Sequence, residues 1–84
     1  MGQRRTGTKS VVMYTRRGCC LCDDAKQLLE ELASVCSFQL QFVDIDSDPE
    51  MVKRHGERVP VIEIDGKERF WGRINRVLVE RKLR

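Results

Sequence analysis

The sequence predicts a single α/β domain, a mixed four-stranded sheet flanked by helices in the order β-α-β-α-β-β-α. Three observations carry this prediction. Short apolar or alternating runs recur along the chain. The first two are separated by an amphipathic stretch at helical period. The dipeptide Asp65-Gly66, a strong hairpin signal, separates the last two. At 84 residues the chain is too short for two ordinary domains. Its 40 % hydrophobic content excludes a disordered chain. No apolar run approaches the roughly 20 residues that cross a bilayer.

Residues 1–9 lack apolar periodicity and contain two glycines, so they are read as a mobile basic tail, leaving 10–84 as the domain. Ser10 to Thr15 is a β-branched apolar run and reads as a buried strand, followed by a loop at Arg16-Arg17-Gly18. From Cys19 the period changes. Ala25, Leu28, Leu29, Leu32 and Ala33 form the stripe of an amphipathic helix, with Asp23 and Asp24 in its first turns, where negative charge suits the helix dipole. Phe38, Leu40 and Phe42 alternate as one face of a second strand. Ser47 and Glu50 have capping-box spacing, and Pro49 suits a first helical position, so a short helix is expected to run to His55 and stop at Gly56. His55 is expected to cap that helix's C-terminal end. Arg58 to Ile64 reads as the third strand and Lys67 to Trp71 as the fourth. Trp71 reads as a core or sheet-face aromatic. Ile74, Val77 and Leu78 mark a last helix, with Leu83 near its end. The helical connection makes the first two strands parallel, and the Asp65-Gly66 turn makes the last two antiparallel.

The net charge is +3, with 16 basic and 13 acidic residues, and the positive charge collects at the two ends. Arg4, Arg5 and Lys9 lie in the first nine residues, and Arg73, Arg76, Arg81, Lys82 and Arg84 in the last thirteen. Solvated termini and a favourable helix-dipole contact account for these groups. The aromatics do not alternate with them as a stacking platform requires. Neither nucleic acid nor a membrane is an expected partner, and a monomer is expected.

Cys19, Cys20 and Cys22 lie within four residues, with Cys36 apart. A stapled extracellular domain spreads its cysteines to close long loops, so this cluster points instead to a redox pair or a metal site. The N-terminus shows no apolar signal core, so a cytoplasmic location is expected. Cys19 and Cys22 sit at a strand-to-helix junction. Their i, i+3 spacing brings two sulfurs within bonding reach. Free N–H groups at a helix N-terminus favour a thiolate on Cys19, and Cys22, one turn deeper, suits a resolving role. Cys20 is read as an exposed spacer and Cys36 as a buried, inert core cysteine.

The segment Tyr14-Thr15-Arg16-Arg17-Gly18-Cys19-Cys20-Leu21-Cys22 resembles the active-site segment of glutaredoxins. Val59-Pro60 resembles the cis-proline signature of the thioredoxin superfamily. The likeness covers roughly residues 10–80 and is nearest to short glutaredoxin-like proteins with a Cys-x-Leu-Cys-Asp-x-Ala site, here Cys19 to Ala25. It implies a thioredoxin-like fold of glutaredoxin type. It also implies an attacking Cys19 and a resolving Cys22, a cis Pro60 facing the sulfurs, and a Val59 backbone free to pair with substrate. By the same likeness Arg16 matches the lysine that meets a glutathione carboxylate, and Tyr14 the aromatic that ends the first strand. The chain departs from glutaredoxins after the fourth strand. Their Gly-Gly and Asp pair become Trp71-Gly72-Arg73-Ile74-Asn75, of which only Gly72 and Asn75 are similar.

The expected activity is thiol–disulfide exchange on protein or small-thiol disulfides, with a reductase or glutathione as electron donor and no tightly bound cofactor. Two alternatives stand beside it. One is a metal or iron–sulfur protein, in which the crowding of three thiols in one turn requires a cluster shared between subunits. The other is a redox-inert binding module on the same fold.

Overall fold

A β-branched run such as Val11-Val12-Met13 buries side chains on both sides only at the centre of a sheet. The computed structural model, which describes residues 9–84, places it there. The predicted tail, apart from Lys9, lies outside the described residues. The strands are β1 (Lys9–Thr15), β2 (Phe38–Asp44), β3 (Val61–Ile64) and β4 (Lys67–Trp71), in the spatial order β2-β1-β3-β4. The helices are α1 (Cys20–Ala33), α2 (Pro49–His55) and α3 (Arg76–Leu83). β1 runs parallel to β2 and antiparallel to β3, and β3 antiparallel to β4. The fold is the α/β, thioredoxin-like arrangement expected from the sequence. Asp65 and Gly66 both take positive φ, 54° and 85°, the pattern of a type I′ hairpin turn.

The core has two sides. Val11 and Met13 of β1 and Ile62 and Ile64 of β3 meet Ala25, Leu29 and Leu32 of α1 and Val79 and Leu83 of α3. Strand alternation sends Tyr14 and Val61 to the other face, where α2 closes the sheet through a stack of Tyr14 on His55. Val61 and Ile62 are both fully buried, as a central strand covered on two faces requires.

Several local expectations change. Asp48, not Ser47, caps α2, because the Asp48 carboxylate takes the Glu50 N–H at 3.0 Å while Ser47 belongs to a 3₁₀ turn, Ile45–Ser47. β3 starts at Val61 rather than Arg58, because residues 56–60 turn to bring the chain back from α2. Gly56 has φ −52°, so it is not there for left-handed backbone. A Cβ at this position would stand 2.5 Å from the Val52 carbonyl oxygen and 3.2 Å from Arg16 Nη1, so Gly56 answers a close approach. His55 turns inward and is 5 % exposed, which removes it from capping duty. Cys36 is half-buried at the rim of a depression after α1, not in the core. In α3 the i, i+4 pair Val79 and Leu83 faces inward, and Val77 and Leu78 are exposed. Ile74 precedes the helix, which Asn75 caps through the Leu78 N–H.

Leu29 is fully buried between α1 and the sheet. Leu29→Ala is expected to lower unfolding stability by about 2–5 kcal/mol. Val77→Ala, on the outer face of α3, is expected to stay within about 0.5 kcal/mol of wild type in the same urea titration. His55 generates a pH dependence. Burial chiefly holds its imidazole below the ordinary value of 6.5, Arg54 and Arg58 push the same way, and Glu63 opposes them. The native state therefore binds fewer protons than the unfolded chain between 6.5 and the lower native value. Stability from this group is complete above that window and is lost as pH falls through it. The urea midpoint is expected to drop between about pH 7 and pH 5, and to drop less in His55→Phe.

Candidate active site

The site begins where β1 ends. Gly18, at φ 71°, takes a left-handed conformation that a residue with a side chain adopts only at a cost, and so turns the chain from strand to helix. Cys19 follows in an extended conformation (φ −103°, ψ 104°) as the N-cap of α1. Its Sγ accepts the Cys22 N–H at 3.1 Å and its carbonyl oxygen accepts the Asp23 N–H at 3.1 Å. The sulfur thus satisfies the Cys22 N–H, one of the four left open at a helix start, and the Asp23 N–H closes the first bond of the helix. Cys19 and Cys22 form a disulfide with Cα atoms 5.1 Å apart, inside the usual range for such bridges. Cys19 is half-buried, whereas Cys22 is only 2 % exposed, on the inner face of α1. Cys20 is exposed with a free thiol, as the spacer reading expects.

The pairing Tyr14↔Val61 sets the second part of the site. Because β1 and β3 are antiparallel, the chain leaving β1 and the chain entering β3 lie at the same end of the sheet. That end of β3 carries the Val59–Pro60 peptide, which is cis. Val59 and Cys19 pack on the same core. The backbone on either side of Val59 is engaged. The Arg58 N–H donates to the His55 carbonyl oxygen at 2.8 Å, and the Gly72 N–H donates to the carbonyl oxygens of Arg58 and Pro60 at 3.1 and 2.9 Å. Among the described residues, Val59's own N–H and C=O have no backbone partner.

Tyr14 and Arg16 are placed differently. The Tyr14 ring stacks on His55 at 4.7 Å between centroids and 24° between planes, and its hydroxyl donates to Glu63 Oε1 at 3.2 Å. Burial first, then the Glu63 charge and hydrogen bond, raise the Tyr14 phenol above its ordinary value. Arg16 donates to the Gly56 carbonyl oxygen at 3.1 Å and pairs with Asp46 at 2.9 Å. Both side chains therefore anchor the loop before Cys19 to the end of α2. Trp71 is 55 % exposed beside this end of the sheet, with the Arg58 guanidinium 5.0 Å from its ring centre.

The sequence reading missed His55, Gly56 and Asp46 as supports of the site. One signal was present: His55 follows Val52 at i+3, a spacing that puts both on one helix face. Among the described residues, no three His, Cys, Asp or Glu side chains group as a metal site.

Known proteins extend this picture. A curated relative, an uncharacterised protein of Mycobacterium tuberculosis, is 33 % identical over 73 % of this chain and 69 % of its own. The solution structure of protein Ne2328 from Nitrosomonas europaea superposes with a TM-score of 0.79, covering 100 % of both chains at 24 % identity. Reduced desulfothioredoxin from Desulfovibrio vulgaris Hildenborough superposes at 0.67, covering 88 % of this chain and 77 % of that one at 25 % identity. Residues 10–84 match the family described as Glutaredoxin-like domain (DUF836). With its thioredoxin-like fold and a Cys19–Cys22 pair at the head of α1, the chain belongs to this glutaredoxin-like family.

Proposed function

We propose that the protein is a thiol–disulfide oxidoreductase that cycles Cys19 and Cys22 between dithiol and disulfide. One observation carries the reading: the two sulfurs are bonded at a helix N-terminus, with one within reach of solvent and the other buried beneath it. In the reduced protein the helix N-terminus and the Cys22 N–H favour a thiolate on Cys19. That thiolate attacks a substrate disulfide sulfur, forms the Cys19–substrate bond and expels the first substrate thiolate, which takes a proton. Cys22 then loses its proton, and its thiolate attacks Cys19 Sγ. The Cys19–Cys22 bond forms, the mixed disulfide breaks, and the second substrate thiol leaves. Two electrons have passed to the substrate. An external dithiol or two molecules of glutathione restore the reduced pair by the reverse exchange.

The free N–H and C=O of Val59 support a role in pairing with an extended substrate segment laid across Pro60. In this reading the substrates are disulfide-containing proteins or small thiols and the setting is the reducing cytoplasm. The exchange itself needs no bound cofactor. Glutathione enters as a donor or mixed-disulfide partner, while Arg16, already engaged by Asp46 and Gly56, is not poised to hold its carboxylate.

Cys19→Ser is expected to reduce disulfide exchange to the uncatalysed level. Cys22→Ser is expected to accumulate a one-to-one mixed disulfide on Cys19, read by intact mass after exposure to oxidised glutathione. If both wild-type thiols stay reduced across glutathione buffers spanning about −320 to −180 mV, the proposal fails.

A further inference from the structure

His55 is the buried titratable group that the exchange reaction leaves unused. It is 5 % exposed, and its Nδ1 has no hydrogen-bond partner among the described residues. An orphaned buried nitrogen costs stability, so its retention calls for an explanation. Its position supplies one. His55 ends α2, and the last carbonyls of that helix hold both halves of the site. The His55 carbonyl oxygen accepts the Arg58 N–H at 2.8 Å, one residue before Val59. The Gly56 carbonyl oxygen accepts Arg16 Nη1 at 3.1 Å, three residues before Cys19. The imidazole of the same residue stacks on Tyr14 of β1 at 4.7 Å.

We propose that His55 is a positioning residue: while neutral, its stack on Tyr14 holds the end of α2, and with it the Cys19 loop and the Val59 loop, and protonation releases both. This inference rests on the oxidoreductase reading and adds a control of that same site. The charged groups around the imidazole come from each packed element. Arg54 lies on α2 and Arg58 on the following turn, and both disfavour an imidazolium. Glu63 of β3 favours it, but that carboxylate already accepts the Tyr14 hydroxyl from β1. A proton on His55 therefore either expels the ring toward water, which undoes the stack, or draws Glu63 away from Tyr14, which breaks the hydrogen bond that orients the partner ring. Each outcome loosens the hold on the carbonyls of residues 55 and 56.

The test follows disulfide exchange by the full chain from about pH 8 to pH 5 in wild type, His55→Phe and His55→Gln. Phe keeps the stack without a titrating group. The wild-type rate is expected to fall on the order of tenfold more than that of His55→Phe over this range, a fraction of what a misplacement of about 1 Å can cost. Loss of thiolate is common to both proteins and cancels in the ratio. His55→Gln, which loses the stack, is expected to be slow at every pH, with a profile that shows no histidine step. An NMR titration of the wild type supplies a readout independent of activity and of either variant's folding. The amides of Arg16, Gly18, Cys19 and Val59 are expected to shift with the same midpoint as the His55 ring. Parallel rate profiles for wild type and His55→Phe, or amides that do not follow the imidazole, would overturn the inference. A wild type inactive at all pH values with co-titrating amides would instead sink the oxidoreductase reading alone.

Discussion

The start of α1 is the constraint on which the site depends. A helix opens with N–H groups that need acceptors, and serine, threonine or aspartate usually supply one. Here the acceptor is a sulfur. Cys19 caps α1 through the Cys22 N–H, so the atom proposed to attack and the helix-capping atom are the same. A thiolate is a stronger acceptor than a disulfide sulfur, because charge-assisted hydrogen bonds exceed neutral ones. Reduction therefore tightens the cap and leaves the helix end intact. The spacing that places Cys22 one turn inside also puts its side chain on the buried stripe with Ala25 and Leu29. Capping, disulfide closure and core packing all demand the same backbone at residues 19–22.

The sheet extends that constraint to the second half of the site. β1 and β3 are the two central strands, and their antiparallel register sets the exit of one beside the entrance of the other. Burial on both faces makes that register costly to shift, since a slip by one residue would exchange inward and outward side chains along the strand. The α1 and α3 side supplies most of the aliphatic core. The α2 side is more polar, with Tyr14, His55 and Glu63 joined by a stack and a hydrogen bond. The aliphatic side carries the disulfide, and the polar side holds the loops that lead to it.

Much of this was legible from residues alone, and the failures have physical causes. Period and turn chemistry located the four strands and three α-helices of the described residues, because the long stripe of α1 and the Asp65-Gly66 turn leave little ambiguity. The residues that mark α3 in the sequence are not the ones it buries, because Ile74 precedes the helix, Val77 and Leu78 are exposed, and the buried pair is Val79 and Leu83. In a helix of eight residues, tertiary packing outweighs so weak a pattern. The cap of α2 was displaced by one residue because serine and aspartate adjoin there and both can cap. His55 escaped because a histidine near a helix end has an ordinary electrostatic explanation, and only the tertiary stack on Tyr14 shows that it faces inward.

Arg16 shows what a sequence likeness leaves open. The resemblance sets it where glutaredoxins carry a lysine that meets glutathione, and the structure adds the partners its charge finds within the chain. Arginine presents several donors in a planar fork and can serve two acceptors at once, as a lysine point charge does less readily. In this chain Asp46 offers a carboxylate, and Gly56 offers a carbonyl that the guanidinium approaches closely beside a residue with no side chain. A Cβ there would lie 3.2 Å from Nη1 and 2.5 Å from the Val52 carbonyl oxygen. Arg16, Asp46 and Gly56 thus act as one unit, and changing any of them alters how the loop before Cys19 is held. Arg17, the next residue, is exposed and has no ion-pair partner among the described residues, so the two adjacent arginines differ in what holds them.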